Sequence, residues 1–111
     1  MNMRVYEIIV AGAVQGYFPQ MAAKMAQRRR ITRFCRFKNI DCVPTSIICN
    51  NHRQNLDKAC MLYRMGYVDA VIVAGMGGWS AEEKGYFGEM TADGKIKVIN
   101  LDDLDCRYLI D

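Results

Sequence analysis

The residues best suited to chemistry follow directly on the apolar run VDAVIVA, at 68–74. They are glycines, one indole, one hydroxyl and two carboxylates: Gly75, Gly77, Gly78, Trp79, Ser80, Glu82 and Glu83. Glycines after a buried strand let main-chain N–H groups come close to a ligand, and the helix that follows favours an anion at its N-terminus. Trp79 could stack on a base, or could fill the space between the loop and the helix as a hydrophobic plug. The pattern predicts a binding loop with a carboxylate beside it.

The same segment has a purely structural interpretation. Ser80-Ala-Glu-Glu83 is an S-x-x-E capping box, in which Ser80 and Glu83 satisfy each other's main-chain N–H groups. Such a cap stabilises a helix start by about 1 kcal/mol and needs no ligand. The two interpretations differ in whether the Glu83 side chain faces a cavity or folds back onto its own helix.

The elements around this segment alternate between strand and helix. Strands are predicted at 5–12, 40–49, 68–74 and 95–101, and helices at 18–30, 53–65 and 80–90. Alternation of this kind predicts a parallel sheet covered by helices. We therefore expect one α/β domain over residues 1–111, a Rossmann-like or flavodoxin-like three-layer sandwich with a parallel sheet of four to five strands in the order 2-1-3-4.

Ligands of such sheets bind at the carboxyl ends of the strands. The predicted loops at that edge are 11–18, 49–52 and 75–79. Gly12, Ala13 and Tyr17 in the first loop are therefore expected to face a ligand together with the glycine loop. His52 could contact a phosphate or a base, or could simply begin the second helix.

Residues 69–98 resemble the core of the nucleoside 2-deoxyribosyltransferase family. The matching features are an aspartate at the start of a strand, a small-residue loop, a Glu-x-Gly-Tyr helix and a Gly-Lys strand: Asp69, 75–78, Glu83-Lys84-Gly85-Tyr86 and 94–98. The rest of the chain matches loosely, with Ala11-Gly12-Ala13 and Tyr17 similar to the family's opening, where a small-residue turn faces the nucleotide.

This resemblance implies cleavage or transfer at the N-glycosidic bond of a nucleoside or nucleotide. In the family, the glutamate of Glu-x-Gly-Tyr attacks the anomeric carbon and holds the sugar covalently. That role falls on Glu83, with Glu82 as the fallback and Tyr86 as the residue that orients it. Asp69, Ser80 and the two glycine loops would contact the substrate. No cofactor is implied, and a homodimer or higher assembly is expected because small members of the family share sites between subunits.

A second function of another class stays open. Gly77 stands where the family usually has an aspartate that helps the base depart, and the chain is shorter than typical transferases. Both differences favour a non-catalytic module that sequesters a nucleotide or an ADP-ribose-type signal.

The composition of the chain indicates which classes of partner to expect: nucleic acid, metal ions or a membrane. Residues 24–38 hold seven basic side chains and no acid, which fits either a nucleic-acid surface or, as we favour, a solvated helix end. Five cysteines without a C-x-x-C pair, and one histidine, argue against a metal site and for buried thiols in a reducing cytoplasm. No apolar run approaches the ~18 residues that a membrane span needs.

Overall fold

A four-stranded, all-parallel sheet organises the part of the chain that the computed structural model describes, residues 2–47 and 52–103. Its strands are β1 (Arg4–Glu7), β2 (Asp41–Val43), β3 (Ala70–Val73) and β4 (Val98–Asn100). They pair in the order β2-β1-β3-β4, and every neighbouring pair is parallel. The predicted strand order is confirmed. Residues 48–51, which hold the end of the second predicted strand and most of the predicted loop at 49–52, lie outside the described residues, as does Cys106.

Within residues 2–47 and 52–103, three α-helices cover the two faces of this sheet: α1 (Tyr17–Lys38), α2 (His52–Arg64) and α3 (Ala81–Thr91). Residues of α2 and α3 share one core cluster with Tyr6 and Val71, and residues of α1 share the other with Val5 and Ile72. The chain is thus a mixed α/β domain of the Rossmann-like and flavodoxin-like kind, as predicted. Among the described residues, no helix is long and apolar enough to cross a membrane.

The strand β3 is a continuous apolar run, and β1 leads into a buried run that only Glu7 interrupts, because both faces of the sheet are covered. Every residue from Val5 to Val10 and from Ala70 to Ala74 is buried. The strand β2 is shorter than predicted and ends before Pro44, which lacks the N–H that a further ladder hydrogen bond would need.

The helix α1 continues eight residues beyond the predicted end at Arg30. It does so because Ile31, Phe34 and Cys35 recur at helical spacing and are all buried against the sheet. The helix stops at Asn39, which has a left-handed backbone (φ 56°) and donates its N–H to the Arg36 carbonyl.

The basic segment at 24–38 is therefore part of α1, and some of its charges are used inside the fold. The Lys24 side chain is buried and donates to the Ile47 carbonyl, at 3.0 Å. Arg28 forms an ion pair with the buried Glu7. The segment contributes to the packing of the domain as well as to its surface charge.

Candidate functional site

A cleft of about 220 Å³ lies between the loop that follows β1 and the loop that follows β3. The two strands are neighbours in the sheet, but α1 and α3 pack on opposite faces, so this is where the strand order reverses. Its lining is mostly small and apolar: Ala11, Gly12, Val14, Ala23, Ala26, Gln27, Arg30, Gly75, Gly78 and Trp79. Four of these residues were predicted from the sequence to bind a ligand, namely Gly12, Gly75, Gly78 and Trp79.

The two glycine-bearing loops are joined directly to each other. The Ala13 N–H donates to the Gly78 carbonyl at 3.0 Å. Gly12 has a φ of +82°, and a Cβ at that position would lie 2.6 Å from the Gly78 carbonyl oxygen. The close approach of the two backbones therefore requires glycine at position 12.

The Glu83 carboxylate is occupied by main-chain donors. Oε1 accepts from the Ser80 N–H at 2.7 Å, and Oε2 accepts from the Gly12 N–H at 3.3 Å. The Ser80 hydroxyl accepts from the Glu83 N–H at 3.1 Å, which completes the capping box. Glu83 is only 6 % exposed and does not line the cleft. This geometry supports the structural interpretation of Ser80 and Glu83 and does not support Glu83 as a nucleophile.

A carboxylate from the chain itself sits on the second glycine loop. Asp102 lies in a short 3₁₀ turn directly after β4. Its Oδ1 accepts from the Gly75 N–H at 3.0 Å, and its Oδ2 accepts from the Met76 N–H at 2.9 Å. Arg30 of α1 donates to Oδ1 at 2.9 Å. Two main-chain N–H groups and a guanidinium thus hold an anion at the rim of the cleft.

These contacts lower the pKa of Asp102. Burial acts in the opposite direction and raises it, but the hydrogen bonds from Gly75, Met76 and Arg30 together outweigh burial. A depressed pKa in the folded state means that the carboxylate stabilises the fold at neutral pH, and that this stabilisation disappears in acid.

We expect Asp102→Asn to lower the free energy of unfolding by about 1 kcal/mol at pH 7, because the pair is partly exposed and screened by solvent. The contribution is complete above the unfolded-state pKa of about 3.9 and is lost as the pH falls through the lower folded-state pKa. Urea unfolding of both proteins between about pH 7 and pH 2.5 measures this. A difference that stays constant down to the lowest pH would contradict the assignment.

Trp79 is a core residue as well as part of the cleft wall. It is 3 % exposed, and its ring packs edge-to-face on Phe87 with centroids 5.5 Å apart. Its buried indole N–H has no hydrogen-bond partner among the residues that the structure describes. Because that nitrogen is shielded from solvent, Trp79 contributes apolar ring surface to the cleft wall.

Seven of the predicted site residues, Glu83 and Ser80 among them, do not line the cleft. Asp69 precedes β3 and accepts from the Arg4 N–H at 2.9 Å, so it is at the amino edge of the sheet and its assignment to the ligand site is corrected. Tyr86 donates its hydroxyl to Asp57 of α2, which replaces the predicted contact with Glu83. Tyr17 begins α1, is 68 % exposed and does not line the cleft.

The remaining predicted residues have modest roles here. Ala13 and Gly77 are exposed; the first bridges the loops through its N–H, and the second has open space where a Cβ would stand. His52 begins α2 and packs edge-to-face on Tyr86, so it belongs to the contact between α2 and α3. No group of metal-ligating side chains was found among the described residues.

Sequence reasoning missed Gln27, Arg30 and Asp102 as site residues. The Gln27 side chain accepts from the Val10 N–H at 3.2 Å and donates to the Val10 carbonyl at 2.6 Å, which ties α1 to the end of the first buried run. Asp102 could have been found, because it follows a parallel strand at the edge where ligands bind. Arg30 carried no such signal, since its partner is 72 residues away.

The fold and the cleft define an α/β domain with an anion-holding loop at the switch point of a parallel sheet. Comparison of the chain with protein-family models, curated proteins and solved structures gives no match. The resemblance to nucleoside 2-deoxyribosyltransferases therefore stays a prediction.

Proposed function

We propose that this domain binds a nucleoside monophosphate, or a similarly phosphorylated ribosyl ligand, in the cleft without cleaving it. The observation that carries the proposal is the set of hydrogen-bond donors around the Asp102 carboxylate. Gly75, Met76 and Arg30 hold a carboxylate in the arrangement that also suits a phosphate oxygen. The phosphate of the ligand takes the place of that carboxylate.

The cleft wall supplies the second half of the recognition. Phosphate alone would need no apolar surface, but the cleft beside Arg30 and Gly75 is lined mainly by alanine, valine and tryptophan side chains. Such a surface suits the flat face of a base or the carbon skeleton of a sugar.

The size of the cleft favours a ligand that is only partly enclosed. Its volume of about 220 Å³ is below the 300–1,000 Å³ that is usual for drug-sized ligands. A phosphate bound in place of Asp102 leaves the cleft for the sugar and directs the base toward its mouth. Exchange of the carboxylate for the ligand would also release the turn after β4 from the rim.

Catalysis at the N-glycosidic bond, which the resemblance implies, has less support. A nucleophilic carboxylate must reach the anomeric carbon, whereas both oxygens of Glu83 accept from main-chain N–H groups. Tyr86, the residue expected to orient it, is bonded to Asp57. Non-catalytic binding therefore fits the geometry better.

Binding is tested by isothermal titration of the common nucleoside 5′-monophosphates and of inorganic phosphate into the full chain. We expect Arg30→Gln to weaken nucleotide binding about tenfold or more, because it removes a charged hydrogen bond. The matched control is Arg29→Gln, which removes the same charge from an exposed neighbouring position on α1. Asp102→Asn should strengthen binding, because it removes the competing charge.

Absence of nucleotide binding at millimolar concentration, or equal binding by the Arg30→Gln and Arg29→Gln variants, would overturn the proposal. Turnover is checked by incubation with nucleosides and nucleoside monophosphates and chromatography for free base. We expect none. Release of base that a folded Glu83→Gln variant loses would instead establish the glycosidase.

Self-association and a cytoplasmic location belong to the same proposal. Tyr17 and Phe18 form an exposed aromatic pair, 68 % and 81 % accessible, which supports a contact with a second copy of the chain. The described cysteines are free thiols, as a reducing compartment requires. Light scattering of wild type and Phe18→Ser measures the molar mass in solution and so tests the contact. A wild-type protein that is monomeric would contradict it.

A further inference from the structure

A second cavity, of about 320 Å³, has two cysteines in its lining. It is lined by Cys35 near the end of α1 and by Cys42 in β2, and it shares no lining residue with the cleft. Both cysteines belong to the α1 face of the sheet, where Cys35 is buried and Cys42 packs against the same cluster. The pair is independent of the proposed nucleotide site.

The chain between the two cysteines turns back so that both line the same cavity. Asn39 ends α1 with a left-handed backbone, and the next residue, Ile40, donates its N–H to the Cys35 carbonyl at 2.8 Å. The strand then begins at Asp41, and Cys42 takes its place opposite Val5. Since β2 has a neighbour on one side only, Cys42 lies at the edge of the described sheet.

The two sulfur atoms are not equivalent. The Cys42 thiol donates a hydrogen bond to the Cys35 sulfur, and this lowers the pKa of Cys35 although burial and the charge of Glu7 raise it. The same hydrogen bond, together with burial, raises the pKa of Cys42. Of the two thiols in this cavity, Cys35 is therefore the one that ionises more readily.

We propose that Cys35 and Cys42 form a reversible redox pair that a peroxide converts into a disulfide joining α1 to β2. The Cys35 thiolate attacks one oxygen of the peroxide, so an S–O bond forms and the O–O bond breaks, and the leaving hydroxide takes a proton to become water. Cys42 then attacks the Cys35 sulfur; the S–S bond forms, the S–O bond breaks, and the Cys42 proton leaves with the second hydroxide as water. Two thiols and one hydrogen peroxide give one disulfide and two waters.

Peptide mapping of the reduced full chain tests this directly. The protein is treated with one equivalent of hydrogen peroxide, alkylated, and digested with trypsin without reduction. Cleavage after Arg33, Arg36, Lys38 and Arg53 places Cys35 in peptide 34–36 and Cys42 in peptide 39–53. We expect these peptides to appear linked, about 2 Da lighter than their summed reduced masses, with fragment ions that place the link at Cys42 and not at Cys49.

Three variants sharpen the test. Cys35→Ser and Cys42→Ser should each abolish the link, and in Cys42→Ser the oxidised Cys35 should be captured by a 1,3-dione that reacts with sulfenic acids. The control is Cys60→Ser, which removes a thiol from the opposite face of the sheet and should leave the link unchanged. Recovery of both Cys35 and Cys42 as alkylated thiols after peroxide, or a link between other cysteines, would overturn the proposal.

Discussion

Gly12→Ala is expected to lower the free energy of unfolding by about 3 kcal/mol. Two costs add in this variant. An alanine at a φ of +82° is strained by about 1–2 kcal/mol, and its Cβ would lie 2.6 Å from the Gly78 carbonyl oxygen. That oxygen belongs to the backbone, so relief of the clash must move a whole loop. The movement would also disturb the hydrogen bonds that Gly12 and Ala13 make to Glu83 and Gly78.

Urea unfolding monitored by Trp79 fluorescence measures this effect. Gly88→Ala is the matched control, because Gly88 lies inside α3 and no described atom outside its own helical turns lies within 4 Å of its would-be Cβ. Alanine there should stabilise the protein by about 0.5–1 kcal/mol, since it favours the helix. If Gly12→Ala proved as stable as wild type, the close contact between the two loops would be refuted.

Glu83→Ala is the second large effect, with an expected loss of about 3 kcal/mol. The change removes one half of the capping box and leaves the Ser80 and Gly12 N–H groups without their acceptors. It also opens a small void at a residue that is 6 % exposed. A freely exposed nucleophile would behave in the opposite way, because removal of an active-site carboxylate is usually neutral or stabilising.

Glu82→Ala provides the comparison within the same helical turn. The Glu82 side chain is 67 % exposed, so its loss should cost less than about 1 kcal/mol, mostly through the helix dipole. Glu83→Gln keeps the shape of the side chain and one acceptor oxygen, so its loss in free energy of unfolding should lie between those of Glu83→Ala and Glu82→Ala. Equal stabilities of Glu83→Ala and Glu82→Ala would show that the main-chain contacts of Glu83 contribute little.

Local patterns in the sequence predicted the fold well. The alternation of strands and helices was enough for the parallel sheet and its order, because each buried run and each amphipathic segment is contiguous in the chain. The capping box was likewise readable, since Ser80 and Glu83 are three residues apart. The end of α1 was missed because its basic side chains obscured the spacing of Ile31, Phe34 and Cys35.

The candidate site depends on contacts between distant residues, and these were harder to predict. Asp102 reaches Gly75 and Arg30 across 27 and 72 residues, and no local pattern records such a pairing. Asp69 was misplaced for another reason. The resemblance put it near the ligand, although the start of a parallel strand lies at the edge opposite to the carboxyl ends.

Two of the chain's own carboxylates hold the loops of the carboxyl edge. Glu83 fixes the first glycine loop from inside the fold, whereas Asp102 sits on the second loop at the rim and is partly exposed. Because the Asp102 carboxylate is held by two N–H groups and a guanidinium in reach of solvent, an incoming phosphate can compete for the same donors.

The most direct test is to record amide ¹H–¹⁵N spectra of the full chain during titration with a nucleoside monophosphate, in wild type and in Asp102→Asn. Exchange of the carboxylate for phosphate predicts that the Gly75 and Met76 amide resonances move most, and that they saturate at lower nucleotide concentration in the variant. Gly75 and Met76 resonances that stay in place while the nucleotide saturates another surface, or that never move at millimolar nucleotide, would contradict the proposed site.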